Sequence, residues 1–203
     1  MKFKFDIVVD GNTNTTKISI RKSDAVKIAR SVANAEKYMG WGEIACQKKM
    51  PGQNIWWFSC SGHGGYVAVL MPGDGITVPV GYEPIMTGSY GLKVYAFEED
   101  CDWAILDYFN ESVFAWSLAS VAAKSYDRQK MFDDVLNTMI NWHPEFVKQE
   151  HVDIAEQIYR NAISEYSKQL EDARVKGEDG GIKWTTRMLE EKQKYMGKLK
   201  KVS

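Results

Sequence analysis

The residues best suited to chemistry form two short clusters that are far apart in the chain. The first, Ser59–Gly65, places His63 between glycines, and the second, Glu98–Trp103, places Cys101 among carboxylates. Because glycine carries no side chain, a ligand or another backbone segment could approach the His63 imidazole closely. Cys101 is predicted near a helix N-terminus, where backbone N–H groups and the helix dipole favour a thiolate. Side by side, the two residues would form a nucleophile and its base, with Asp102 or a neighbouring carboxylate orienting the imidazole.

The order of the two residues adds a second argument. A histidine at the end of a strand, followed by a cysteine that opens a helix, resembles the arrangement of papain-like hydrolases in circularly permuted order. This resemblance implies a thiol hydrolase or transferase with Cys101 as nucleophile and His63 as base. Negative charge opposes that role because it raises the pKa of a thiol, and four carboxylates surround this one: Glu98, Glu99, Asp100 and Asp102. A buried structural cysteine is the alternative.

The same carboxylates allow further interpretations. With His63 as a nitrogen ligand they could hold a hard cation, and without it they could present a negative patch to a basic partner. They could also simply cap and begin a helix, as acidic residues at helix starts commonly do. Metal sites usually have closely spaced cysteine or histidine ligands, and this chain contains neither a CxxC nor an HxxxH pair. The sequence therefore predicts no metal and no cofactor.

Composition excludes several classes of protein. The 203 residues carry a formal net charge of -1 and are 44% hydrophobic, which argues against a disordered chain and against nonspecific nucleic-acid binding through a basic surface. Three cysteines in a chain of this length predict free thiols in a reducing compartment. The N-terminal segment lacks the apolar core of a signal peptide, and no apolar run is long enough to cross a membrane. We therefore expect a cytoplasmic protein without membrane contact.

Patterning in the first half of the chain predicts strands and one helix. Alternating or apolar runs predict strands at residues 2–9, 17–20, 41–47, 55–60, 66–70 and 93–97. Turn residues at 10–12 predict that the first two strands form a hairpin. Ser23 is expected to cap a helix that ends at Gly40 and carries an apolar stripe at helical spacing, formed by Ala25, Ile28, Ala29, Val32 and Ala33. The glycine- and proline-rich segment 71–91 is typical of a functional loop or flap, with a structural loop as the alternative.

The second half is predicted to be helical. Asp100 or Asp102 would cap a helix that continues to Leu118, and three further helices follow, at residues 127–143, 153–175 and 182–199. The predicted fold is α+β, with a small antiparallel sheet packed by helices and a C-terminal amphipathic helical hairpin. The predicted domains are an α+β core at residues 1–125 and a helical region at residues 126–203.

Two segments, Ser61–Tyr66 and Tyr95–Ala104, together resemble a family of uncharacterised bacteriophage and plasmid proteins. Members pair a Ser-His-Gly-Gly turn with a Glu-Glu-Asp-Cys-Asp-Trp-Ala segment, and here Gly62 is inserted between the serine and the histidine of the turn. The resemblance covers residues 41–109. It implies a mobile-element origin and a shared site around His63 and Cys101, but no established reaction.

These observations predict a phage or mobile-element accessory protein that binds a host macromolecule in the host cytosol. Its partner would be a host protein or protein complex, inhibited for host takeover or counter-defence without catalysis, and the C-terminal helices could also pair two copies of the chain. The predicted binding residues are Gly62, His63, Gly64, Gly65, Glu98, Glu99, Asp100 and Trp103. The alternative is the thiol enzyme that uses Cys101, His63 and Asp102. A second alternative is a small-ligand module, in which the His63 turn and the 71–91 loop close a pocket.

Overall fold

Strands and helices occupy different parts of the chain, and the predicted α+β fold is confirmed. The computed structural model describes residues 7–10, 17–121 and 126–199. The chain divides into two compact units, residues 1–128 and 129–203, whereas the sequence analysis places the change at residue 125. The described strands all lie in the first unit, and the long C-terminal helices lie in the second.

A five-stranded antiparallel sheet forms the centre of the first unit. Its strands, in spatial order, are β3 (Ile44–Lys49), β4 (Ile55–Cys60), β5 (Gly64–Leu70), β7 (Lys93–Glu98) and β6 (Met86–Thr87). Two further strands, β1 (Ile7–Asp10) and β2 (Lys17–Ile20), form a separate antiparallel pair, as the hairpin prediction requires. The remainder of the predicted first strand, residues 2–6, and most of the predicted turn lie outside the described residues.

Helix α1 (Lys22–Asn34) packs against one face of this sheet. Its predicted apolar stripe is confirmed, because all five members are 0% exposed: Ala25, Ile28, Ala29, Val32 and Ala33. The predicted ends are wrong. Arg21 occupies the cap position in place of Ser23, and the helix stops at Asn34, well before Gly40.

The early end of α1 follows from the burial of Trp41. This side chain is 1% exposed, and its backbone N–H donates to the carbonyl of Ala33 at 3.0 Å. In a continuing helix the residue four positions later, Lys37, would have used that carbonyl. The backbone N–H of Met39 similarly donates to Val32 at 3.3 Å. The chain therefore leaves the helix to fold Trp41 into the core.

Strand β5 is buried along its whole length because helices cover both faces of the sheet. Val67 and Val69 join the α1 core, and Tyr66, on the opposite face, bonds to Ser117 in α3 (Glu111–Val121). The sequence predicts one helix that Asp100 or Asp102 caps and that continues to Leu118; the cap is Asp102, but the continuous helix is wrong.

Asn110 divides that helix into α2 (Trp103–Phe109) and α3. Its backbone is extended (φ -134°, ψ 102°). Its side-chain oxygen accepts the N–H of Thr77 at 2.7 Å, and its amide nitrogen donates to the carbonyls of Thr77 and Leu106 at 2.9 Å each. The break satisfies both polar backbone groups of Thr77, in a loop far away in sequence.

The second unit contains α4 (Arg128–Trp142) apart from its first residue, together with α5 (Gln149–Lys176) and α6 (Asp179–Leu199). Helices α5 and α6 form the predicted C-terminal hairpin, and Gly177 ends α5 in the left-handed conformation (φ 68°) that glycine adopts without strain. The predicted start of α5 at Asp153 is wrong because the helix begins at Gln149. No described helix combines the length and apolar character needed to span a membrane.

Candidate functional site

The turn that carries His63 joins β4 to β5 and is fixed by backbone hydrogen bonds. The N–H groups of Gly62 and His63 both donate to the carbonyl of Trp41, at 3.0 and 3.2 Å. The N–H of Ser61 donates to the carbonyl of Glu43 at 2.9 Å, and the Ser61 hydroxyl accepts the N–H of Glu43 at 3.0 Å. The buried Trp41 segment therefore holds the turn in place from one side.

The glycines beside His63 allow close approach of other backbone segments. A Cβ on Gly64 would lie 2.6 Å from the carbonyl oxygen of Phe58 and 2.7 Å from the Glu99 carboxylate. Gly65 has a φ of 144°, and a Cβ there would collide with the carbonyl oxygen of Phe97. The sequence allows either a ligand or another backbone segment to approach these glycines closely. In the structure, the backbone of Phe58 and of Phe97 does so. The predicted binding residues Gly64 and Gly65 thus hold β5 against its neighbours.

The register between β5 and β7 determines which side chains face His63. Gly65 pairs with Glu98, and the N–H of Glu99 donates to the carbonyl of Gly64 at 3.0 Å. As a result, His63 Nδ1 lies 3.4 Å from Glu98 Oε1 and 3.9 Å from Asp100 Oδ2. The side chains are 54% exposed for His63, 31% for Glu98 and 73% for Asp100. The site is therefore open to solvent and acidic.

Cys101 lies beside Glu98, in the turn before α2. Its Sγ is 4.0 Å from Glu98 Oε2, and within the described part of the chain no hydrogen bond joins it to His63. Burial raises the pKa of the thiol to about 12, with further contributions from the charge and hydrogen bond of Asp102 and from the charge of Glu98. A nucleophilic cysteine needs the opposite shift. The arrangement suits a protonated, structural thiol.

Asp102 contacts Tyr82, and Glu98 and Asp100 are the carboxylates that face His63. The Tyr82 hydroxyl donates to the carbonyl of Ala96 at 2.7 Å and lies 3.1 Å from Asp102 Oδ2. Its ring stacks on Phe97 with centroids 5.0 Å apart. Tyr82 therefore fixes the 71–91 loop to the sheet, and neither its spacing nor its neighbours in the sequence indicate this role.

The remaining predicted site residues are less closely joined to His63. Trp103 is half-buried at the start of α2, and Gly62 lies where a Cβ would be 3.0 Å from the Trp41 carbonyl oxygen. The 71–91 loop lines a cavity of about 360 Å³ together with Lys93 and Tyr95, and His63 is not among its lining residues. The sequence predicts a pocket that is closed by both the His63 turn and this loop. The cavity that the loop lines is a different one, because the His63 turn does not contribute to it.

A second polar cluster, which the sequence analysis missed, lies inside the first unit. The Ser117 hydroxyl donates to Asp107 Oδ1 at 2.7 Å and lies 2.7 Å from the hydroxyl of Tyr66. Asp107 is 3% exposed, and its second oxygen, Oδ2, has no partner among the described residues. Burial raises the pKa of Asp107 to about 7, although the hydrogen bond from Ser117 acts against this. One feature of the sequence could have indicated this cluster: a single aspartate, Asp107, lies within the otherwise apolar and aromatic α2.

Comparisons with protein-family models, curated proteins and solved structures find no match to this chain. The features of the chain that bear on its function are therefore the His63 turn and the segment Glu98–Asp100. Gly64 and Gly65 are buried, and we call the other predicted binding residues of this surface the acidic face: Gly62, His63, Glu98, Glu99 and Asp100.

Proposed function

We propose that this chain is a non-enzymatic binding protein that recognises a host macromolecule through the acidic face. The observation that supports the proposal most directly is the unbalanced charge at this surface. Glu98 and Asp100 pair only with His63, and no ion pair of Glu98, Glu99 or Asp100 with lysine or arginine occurs among the described residues. A basic surface on a partner would complement these three carboxylates.

Rigidity of the backbone favours recognition by this surface. The His63 turn is bonded to the Trp41 segment, and the acidic segment is bonded to β5 through the N–H of Glu99. Side chains that are exposed on a fixed backbone lose less conformational freedom on binding than those on a mobile loop. The acidic face is therefore arranged to bind without prior ordering of its backbone.

The thiol-enzyme alternative receives less support from the same geometry. Cys101 directs its thiol towards Glu98, a carboxylate that stabilises the protonated form. Asp102 is engaged by Tyr82, and Trp103 begins a helix of only 7 residues. These contacts give Cys101 neither a base nor a strong helix dipole.

The class of partner comes from the resemblance of the segments Ser61–Tyr66 and Tyr95–Ala104 to phage and plasmid proteins. Proteins of mobile elements act inside a host cell, so a host protein or protein complex is the partner that we propose. Inhibition of that partner, for host takeover or counter-defence, would require no catalytic group. Tight occupancy of a functional surface on the host protein would be sufficient.

The experiment is affinity capture from a bacterial host lysate, with quantitative mass spectrometry of the bound proteins. We expect the wild-type chain to capture a defined partner that is released by high salt, because exposed charges are screened at high ionic strength. The double variant Glu98→Gln/Asp100→Asn should lose the partner. Cys101→Ala should retain it, because the proposal gives the thiol no role in binding.

Glu43→Gln is the matched control because Glu43 is an exposed carboxylate beside the same turn and only its backbone groups bond to Ser61. Loss of the partner in Cys101→Ala, or its retention in the double variant, would contradict the proposal. Circular dichroism of each variant separates a lost contact from a lost fold.

A further inference from the structure

Three potential metal-ligand atoms converge on one point of the acidic face. His63 Nδ1, a carboxylate oxygen of Glu98 and one of Asp100 all lie within 4.8 Å of one another. The histidine comes from the β4–β5 turn, whereas the two carboxylates come from the end of β7 and the turn after it. This convergence explains why spacing in the sequence did not indicate a metal site.

Two of the three separations are close to those in the coordination sphere of a small divalent ion, and the third, between the two carboxylate oxygens, is no more than 4.8 Å. Ligand atoms that each lie about 2.1 Å from such an ion are about 3 to 4 Å from one another in tetrahedral or octahedral geometry. The separations between His63 Nδ1 and the oxygens of Glu98 and Asp100 are 3.4 and 3.9 Å. Small side-chain rotations would bring all three atoms to one ion, because Asp100 and His63 are largely exposed.

Two other histidines provide an internal comparison. His143 lies 3.9 Å from Glu145, and His151 lies 3.8 Å from Glu150. Within residues 7–10, 17–121 and 126–199, only the group at His63 brings together three potential ligand side chains. Contact between a histidine and an acidic residue is thus ordinary in this protein. A group of three potential ligands is found only at His63 among the described residues.

We propose that His63, Glu98 and Asp100 bind one divalent transition-metal ion such as Mn²⁺ or Zn²⁺. The imidazole nitrogen is a ligand that Zn²⁺ and other transition-metal ions favour, and the two carboxylate oxygens are ligands that suit Mn²⁺ as well. The exposure of the ligands leaves further coordination positions open to water or to a group of a partner. The inference concerns the residues of the proposed binding surface, but it requires no partner.

Direct titration tests this site. The full chain, freed of metal with a chelator, is titrated with Mn²⁺ while electron paramagnetic resonance records the signal of the free ion. We expect one saturable site, and we expect Zn²⁺ to displace the bound Mn²⁺. His63→Gln and Asp100→Asn should each weaken Mn²⁺ binding by at least tenfold, because each removes one of three ligands.

Two control variants leave the three proposed ligands unchanged. Glu43→Gln removes an exposed carboxylate near the turn, and His151→Gln removes a histidine that lies beside Glu150; both should bind Mn²⁺ like the wild type. Absence of saturable binding, or unchanged affinity in His63→Gln with a native circular dichroism spectrum, would overturn the proposal. Because the titration contains no partner, its failure leaves the capture experiment unaffected, and failed capture would not alter the titration.

Discussion

The carboxylates of Asp100 and Asp107 are separated by one short turn and part of α2, yet their surroundings are opposite. Asp100 is 73% exposed and shares the acidic face with His63 and Glu98. Asp107 is 3% exposed, accepts one hydrogen bond from Ser117 and has one oxygen for which the described residues offer no partner. Water stabilises the charge of the first, whereas burial destabilises the charge of the second. The acidic face can therefore carry several charges that are available to a ligand, whereas the buried cluster of Asp107, Ser117 and Tyr66 favours the neutral form of the acid.

Strand β5 connects the two clusters, so a change within it should have the largest effect. Gly65→Ala introduces a Cβ that collides with the carbonyl of Phe97, at a φ of 144° that favours glycine. We expect a loss of about 4 kcal/mol in the free energy of unfolding, measured by urea denaturation, because backbone strain and overpacking act together. Gly73→Ala is the control, since Gly73 has a φ of 91° but no atom within 4 Å of its Cβ position. Its cost should be about 1 kcal/mol, and equal losses in the two variants would remove the argument for close strand approach.

The charge of Asp107 should have the next largest effect. Its folded-state pKa of about 7 exceeds the ordinary value of 3.8, so the folded state binds more protons between these values. The contribution of Asp107 to stability is therefore greatest at pH 4 and below, decreases as pH rises towards about 7, and is nearly constant above that. Asp107→Asn removes the ionisation and keeps an oxygen for Ser117; we expect it to stabilise the protein by about 3 kcal/mol at pH 8 and by little at pH 4. Urea denaturation at the two pH values measures this, and an equal effect at both would show that Asp107 stays charged when folded.

The rate of alkylation of Cys101 tests how far its surroundings raise the pKa of the thiol beside the acidic face. Because burial and the neighbouring Asp102 and Glu98 raise the pKa of the thiol to about 12, little thiolate is present at pH 8. We expect iodoacetamide to react with Cys101 at least tenfold more slowly than with the exposed Cys46, in a Cys60→Ser background. Mass spectrometry of the two peptides gives both rates from one sample. Rapid reaction of Cys101 that disappears in His63→Ala would instead support the thiol enzyme.

The smallest effect should come from a pair that is fully in contact with water. Arg128 donates to both carboxylate oxygens of Glu111 at 2.8 Å, and the two side chains are 61% and 70% exposed. Despite this good geometry, Glu111→Gln should change the free energy of unfolding by about 0.5 kcal/mol or less. Thermal or urea denaturation checks this. If the free energy of unfolding fell by as much as it changes at Asp107, solvent exposure would not determine how much a charged group contributes to stability in this protein.

Local patterns in the sequence predict much of the fold. The strand at Ile55–Cys60 has the predicted bounds, and the apolar stripe of α1 is buried as expected. Contacts between distant residues account for the differences. Asn110 breaks a continuous helical pattern because it bonds to Thr77, and the burial of Trp41 ends α1 early.

The candidate site was harder to predict for the same reason. The sequence identifies His63 and the acidic segment, but spacing alone does not specify which acid faces the imidazole. The β5–β7 register brings Glu98 opposite Gly65, which places this carboxylate beside both His63 and Cys101. Tyr82 and Asp107 were missed because their roles depend on packing against the sheet and against α3.

The two anchors of the 71–91 loop have a practical consequence for experiments on this protein. Thr77 is tied to Asn110 and Tyr82 to Ala96, while Val80, between them, is 99% exposed. A peptide inserted after Val80 would extend from an exposed position between the two anchored residues, and exposed loop positions are where insertions are best tolerated. The loop thus offers an attachment point for a fluorophore or an affinity tag that leaves the ligand atoms of the acidic face chemically unmodified.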